Sequence, residues 1–551
     1  MLLIHHFFVG FDTFIQCGKG NRRRFKRVLK YKSLINRLNN PVIFQARFPT
    51  TPTRTYLYKT KGVIIVKENI FEEKSITKGF YFICFGTFFV MLSLATHLPA
   101  YPHMLASFDL GPGHAVWMQL GLALGITGFQ PLLGWVGDAF SIKVVILLGA
   151  TFMALGSVLV ALSPAFWVLV VGLFFKGMAG AAIAPSGVAY AGKFFTGEKR
   201  GKTLGLFIAF STIGALFGPV LSGIFVDTLG WTSSFWFTAI LGGVAFSLFF
   251  LGVPNIKMET KRSFDFLGVV FVLVVLVGLL TIPTFINNYG FTSGMWLPSF
   301  AVFAIGLIIL IVVEKKQKEP LLDLDYVANR NFWVPTVVAV LVLVGFAGVM
   351  YLLTFFVQNV QGKSATTVGV LQMAIFLGAS GAAIFSGRII KRFSARVMLG
   401  TGIVTFIAGL VMLTMVKIDA SFTYLFIAMS LIGMGSGFNN PVIKAIVVSK
   451  ATSSRMNVIT FTNTVIENVA QRLGASFALV GFAIFAAKGD GVNALANTSL
   501  IFIALAVVAL LFLVLIPKKI EGIHGVEEGV EVVQEVSGSP ISIVKKESIQ
   551  L

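Results

Sequence analysis

Long apolar runs alternate with short polar breaks from residue 79 onward, and most runs approach or exceed the roughly 20 residues an α-helix needs to cross about 30 Å of hydrocarbon. The pattern places spans at 79–103, 113–135, 143–163, 166–190, 202–227, 234–254, 266–286, 297–314, 332–357, 366–388, 397–416, 421–448, 456–487 and 496–516. The runs are continuous and contain Gly and other small residues, so they read as helices and not as the ten-residue alternations of a membrane barrel. The expected fold class is an all-α polytopic membrane protein with about 14 transmembrane helices.

The breaks set an orientation. KFFTGEKRGK (193–202), NIKMETKR (255–262), EKKQK (314–318), RIIKRFSAR (388–396) and Lys518-Lys519 all fall on one side. That side is expected to be cytoplasmic, because basic loops stay inside. The opposite loops, SPAF (163–166), DTLGWTSS (227–234) and NNYGFTSG (287–294), carry no Lys or Arg. An even number of spans leaves both termini cytoplasmic in a plasma or inner membrane.

Composition agrees. Of 551 residues 56% are hydrophobic and 12% charged, about half the charged share of a soluble domain. The net charge of +21 does not indicate nucleic acid, since residues 1–78 alone hold 16 Lys and Arg against 4 Asp and Glu. That segment is expected to be a basic, disordered cytoplasmic extension, and residues 517–551, acidic and then Ser/Gly-containing, a cytoplasmic tail. Cys17 and Cys84 make no disulfide framework, and the six histidines have no zinc-site spacing. No metal, cofactor or enzymatic chemistry is expected, for the chain offers no nucleophile-base pair or phosphate-binding loop.

Three stretches carry mechanism. GWVGDAFSIK (134–143) reads as a tight Gly-permitted turn whose Asp138 caps the next helix, with Gly134 and Lys143 beside it. STIGALFGPVLSGIFVDTLGW (211–231) sets Gly214, Gly218, Pro219 and Gly223 in one span, where they permit bending and close backbone approach. Lys176 lies mid-span, an expensive place for an ammonium without water, carboxylate or substrate. In the thirteenth span Asn463, Glu467 and Gln471 recur at i, i+4 and i+8 on one helix face, with Asn468 and Arg472 beside it.

The first two stretches resemble the inner-loop signature and the antiporter motif of the major facilitator superfamily. With FDFLG (264–268), EKKQKEPLLDLDYVANRNF (314–332) and YLLTFFVQNVQG (351–362), residues 79–516 resemble its fourteen-spanner drug:proton antiporter family. The resemblance implies six-helix bundles at 79–254 and 332–516, with two extra spans and a linker at 255–331, and alternating access to a central cavity. It departs from the family at Val90, where an Asp is common, and at Leu173, which stands for an Arg while Lys176 supplies a cation one turn on. In the second copy of the inner-loop motif, Gly387 to Arg396, Lys391 replaces the usual Asp.

The expected function is proton-coupled export of small amphipathic or drug-like molecules. Uptake of an organic anion or metabolite by the same fold, or a transport-inactive sensor, are the alternatives. Glu467 is the candidate proton carrier and His97 a second titratable candidate. Lys176 is expected to partner Glu467 or to anchor an acidic group on substrate; a structural ion pair among Lys176, Glu467 and Arg472 is the alternative. Gln119, Gln130, Tyr351, Gln358, Gln372, Asn439 and Asn440, with Asn463 and Gln471, are further cavity candidates, each of which could equally hold an interhelical hydrogen bond. Asp227 is expected to be solvated at the outer edge of its span. The partners expected are substrate, protons and lipid, with a periplasmic adaptor as a further candidate, for a monomeric carrier.

Overall fold

The computed structural model describes residues 43–47, 54–60, 63–68, 70–195, 197–256, 266–317, 324–390, 392–449, 456–488 and 491–517. Its body is helical. Thirteen helical segments among the described residues are long and apolar enough to span a membrane. A further helix, α16 (Met456–Lys488), has 33 residues and lies among the others, with Ala470, Ala475 and Leu479 buried. Its Glu and Arg lower its hydropathy, but its length and position make it the fourteenth.

The first span is broken. Helix α1 (Ile70–Ala95) stops where α2 (His97–Ala106) begins, because Pro99 has no N–H to give to Ala95 and its ring crowds that carbonyl. The second span runs through α3 (Ala115–Ala123), a π-helical turn at Leu124–Gly128, and α4 (Phe129–Ala139). Helices α5 (Ile142–Ala161), α6 (Phe166–Phe194), α7 (Gly197–Leu229) and α8 (Trp231–Gly252) complete a bundle in which α5 packs on α6 and α8, and α1 on α7 and α8.

Two spans follow, α9 (Phe266–Tyr289) and α10 (Leu297–Lys316), which pack on each other while α9 also touches α16. After the short α11 (Leu324–Val327), the second bundle comprises α12 (Arg330–Phe355), α13 (Ala365–Ile389), α14 (Ala395–Thr414), α15 (Phe422–Val448), α16 and α17 (Gly491–Phe512). Here α13 packs on α15, α12 on α16 and α17, and α14 on α15 and α17. A second π turn, Phe356–Val360, ends the α12 span.

Glycine makes the tightest crossings. A Cβ on Gly437 would stand 2.0 Å from the Ala379 carbonyl oxygen, and one on Gly474 2.0 Å from that of Val344. Backbones approach this closely because helices in lipid associate by packing and not by expelling water. The outward faces stay apolar, with Ile240, Leu251, Ile308, Val404 and Leu511 exposed, as suits contact with acyl chains. Inside the spans hydroxyls return to their own helix: Ser186 donates to Ala182 O at 2.6 Å and Thr498 to Ala494 O at 2.8 Å.

Two expectations change. Part of the basic segment before the spans is ordered: β1 (Ile43–Arg47), β2 (Arg54–Thr60) and β3 (Val63–Glu68) form an antiparallel sheet in the order β1-β2-β3, pairing Ile43 with Tyr58 and Thr60 with Val63. Residues 1–42 and the tail beyond 517 lie outside the described residues, as does Lys391. Nor is GWVGDAFSIK a glycine turn. Residues 134–139 finish α4, a Cβ on Gly134 would meet nothing within 4 Å, and the cap of α5 is Ser141, whose Oγ accepts from Val144 N at 3.3 Å.

Gly437→Leu should lower the melting temperature of the purified protein by several degrees, in line with about 1–3 kcal/mol for overpacking a tight contact. Gly381→Ala, at a position with nothing within 4 Å of the added carbon, should melt like the parent. Equal melting of the two variants would mean that the α13–α15 crossing can relax.

Candidate functional site

The two bundles are stitched together by α7. Gly214 and Gly218 face α1, where added Cβ atoms would meet Phe88 O at 2.3 Å and Leu92 O at 2.5 Å. Lower on the same helix the contacts change bundle. Gly223 lies against Thr366 and Ala365 of α13, and the Pro219 carbonyl against Gly369. The glycines of this motif therefore serve two seams, one within the first bundle and one between bundles.

Asp227 closes the second seam. Its Oδ1 accepts from Ala365 N at 2.9 Å, and its Oδ2 accepts from Thr366 N at 2.8 Å and Thr366 Oγ1 at 2.5 Å. A carboxylate at a helix N-terminus meets unsatisfied N–H groups and the positive end of the dipole. Asp227 is exposed at the outer edge of its span, as expected, and in addition caps a helix of the opposite bundle. Ser222, one turn away, donates to the Thr96 carbonyl at the α1–α2 break.

Further in, the seam continues with side chains from both halves. Gln358, in the π turn after α12, donates to Pro99 O at 2.9 Å. The Tyr351 hydroxyl donates to Gln119 Oε1. Tyr101 lies between the halves, its ring 5.3 Å from that of His97 and 5.9 Å from that of Tyr351. Arg472 of α16 stands beside the Tyr351 hydroxyl, and both Arg472 and Lys176 lie within electrostatic reach of His97. The Lys176 ammonium is 1% exposed and sits 4.5 Å from the centre of the Phe235 ring.

A second polar group occupies the C-terminal bundle. Glu467 Oε2 accepts from Lys444 Nζ at 2.5 Å, and the same ammonium donates to Asn463 Oδ1 at 3.0 Å. Asn463 in turn donates to Thr336 Oγ1 at 3.1 Å. The carboxylate that the sequence pairs with Lys176 is therefore bonded to Lys444, from the neighbouring α15. Lys444 is absent from the sequence-derived candidates because PVIKAIVVSK places it near the end of its span, where a cation reads as interfacial. Its position 23 residues before Glu467, on the adjacent antiparallel helix, was the available signal.

The remaining candidates divide. Gln372 is buried and donates to Thr354 Oγ1 at 3.0 Å within the C-terminal bundle. Asn439 packs against Gly402 of α14, with neither amide atom bonded among the described residues. Asn440 is exposed on α15, and Gln130 and Gln471 are half-buried. Lys143 binds the end of α8, donating to Phe250 O at 2.7 Å, a favourable place for a cation near a helix C-terminus. His97, Gln119, Lys176, Tyr351 and Gln358 are thus gathered at or near the bundle seam, whereas Glu467, Asn463 and Gln372 belong to networks inside the second bundle.

Residues 83–475 match the sequence model of the Major Facilitator Superfamily. The chain belongs to that superfamily. Among curated relatives it is 24% identical to the multidrug transporter protein MdtP of Bacillus subtilis (strain 168), over 68% of this chain and 69% of that one. It is 26% identical to multidrug resistance protein 3 of the same organism, over 68% and 72%, and 24% identical to the riboflavin transporter RibZ of Clostridioides difficile (strain 630), over 72% and 86%. A crystal structure of the peptide transporter POT in complex with sulfate superposes with a TM-score of 0.59 at 15% identity, covering 80% of this chain and 96% of that one, and shows the shared fold. The two multidrug relatives are consistent with the resemblance to the drug:proton antiporter family. This superfamily member is a multi-pass membrane transporter of small molecules and not an enzyme.

Asp227→Ala should loosen the α7–α13 seam. Each bond to a charged group is worth about 1.5–3 kcal/mol, so labels at Leu229 and Lys363, on a background lacking Cys17 and Cys84, should report a broadened and lengthened distance distribution. An unchanged distribution would show that the glycine contacts hold this end closed alone.

Proposed function

We propose that this transporter exports small amphipathic molecules in exchange for protons, by alternating access between its two bundles. The observation that carries the reading is the Lys444–Glu467 pair, a carboxylate held at 2.5 Å from an ammonium inside the second bundle. A proton reaching Glu467 removes the charge that holds Lys444, and Lys444 then needs another partner. Protonation therefore acts differently on two arrangements of the same helices, which is the requirement for coupling.

The seam supplies the other half of the cycle. Asp227, Gly223 and the Gln358–Pro99 bond tie the bundles at the end opposite the basic loops. By the positive-inside rule that end is the outer one, so this arrangement is closed outward, with both termini cytoplasmic. The glycine-proline segment of α7 and the similarity to a multidrug transporter and a multidrug resistance protein favour export. Uptake of an organic anion or metabolite by the same fold is the competing reading, separable by the direction of counterflow; the similarity to a riboflavin transporter is compatible with a metabolite as cargo.

The test uses purified protein in liposomes with an imposed pH gradient and an internal pH dye, with amphipathic cations, anions and neutral compounds added in turn. At least one compound should drive proton movement. Glu467→Gln should abolish that movement while leaving exchange of the same compound across the bilayer at equal pH. Full gradient-driven transport by Glu467→Gln would remove Glu467 from the coupling step.

A further inference from the structure

The central seam holds more hydrogen-bond donors than acceptors. Lys176 Nζ, Arg472 Nε, His97 Nδ1 and the Tyr101 hydroxyl are all buried and make no hydrogen bond among the described residues. They come from three elements, α2, α6 and α16, and converge on the region around Tyr101 and Tyr351. The carboxylates that might have answered them are engaged elsewhere: Asp227 caps α13 and Glu467 binds Lys444. Among the described residues the Lys176 ammonium makes no hydrogen bond and meets the face of Phe235, a contact worth far less than a carboxylate partner.

Buried polar groups are matched in folded proteins; Gln358 Oε1 is one unbonded acceptor in the same seam, and the two cations, Lys176 and Arg472, favour a further acceptor carrying negative charge. We propose that the Lys176–Arg472–His97–Tyr101 cluster is the binding site for the anionic head of the transported molecule, a carboxylate or similar oxyanion. The rings of Phe235, Tyr101 and Tyr351 are its apolar neighbours. This deepens the export reading by naming a substrate class, and it rests on that reading only for the direction of movement. Lys176 supplies the charge, Arg472 a planar donor pair suited to two oxygens, and Tyr101 a third donor. Cations of the same size and shape are repelled by the same pair of charges.

The class is tested by binding, which needs no gradient. The full chain in lipid nanodiscs is titrated with indole-3-butyrate, its methyl ester, and tryptamine, and separately with sodium sulfate, each read by thermal shift and calorimetry. The acid should bind at least tenfold more tightly than the ester, and tryptamine should not compete. Lys176→Gln should bring acid and ester within twofold of each other while ester binding is kept, and Arg472→Gln, an independent change from another helix, should do the same if the first variant folds poorly. Sulfate that displaces the acid only from the parent protein supports the same site acting on oxyanions in general.

Equal binding of acid and ester by the parent, or tighter binding of tryptamine, would overturn the proposal, as would discrimination that survives both substitutions. Glu467→Gln should retain the preference for the acid. Loss of proton coupling in that variant with the preference intact would thus speak to export, and loss of the preference in the parent to the head-group site.

Discussion

Hydrocarbon offers no hydrogen bonds, so every polar group that enters it must be answered from within the chain. That constraint produces the helices, returns the hydroxyls of Ser186, Thr336 and Thr498 to their own carbonyls, and makes each unanswered group informative. At the Pro99 break, the Thr96 carbonyl is answered by Ser222 of α7. At the start of α13, the free N–H groups are answered by Asp227 from the other bundle. The first repair joins two elements of one bundle, and the second joins the two bundles.

The same reasoning separates the two ionic groups. Lys444, Glu467, Asn463 and Thr336 are joined to one another by hydrogen bonds, with Lys444 a third exposed. The seam cluster does not close. One group is thus bonded internally, and the other holds buried polar atoms without a partner among the described residues. The two lie on one helix, α16, which carries both Glu467 and Arg472, a little over one helical turn apart.

How much of this could be read from the chain depends on range. The spans were legible because a bilayer demands long apolar runs, and even α16 was legible from Asn463, Glu467 and Gln471 at helical spacing. Lys176 was visible as a cation in a place that penalises cations. What was not legible is pairing: nothing local tells that Glu467 meets Lys444 and not Lys176, or that Asp227 reaches α13. The strands at 43–68 did carry β-branched and aromatic residues in RTYLYKT and VIIVKE, but the dense charge of that segment outweighed them. At Gly134 the error was local, since a glycine permits a turn without requiring one. Val90 and Leu173, where the resemblance led to an Asp and an Arg, are fully buried apolar residues here, so the family's common charges are absent and the seam relies on Lys176 and Arg472.

The Phe235 ring beneath Lys176 has a consequence for the empty carrier. A bare ammonium in a dry site would hold the first anion it met with a grip too strong for turnover, and would burden the return journey with an unshielded charge. The ring gives that charge a resting place worth roughly 0.5–2 kcal/mol, weak enough to be displaced and strong enough to be resumed. On the head-group proposal, Phe235 would be a stand-in occupant, narrowing the difference between the loaded and unloaded protein so that neither state becomes a trap.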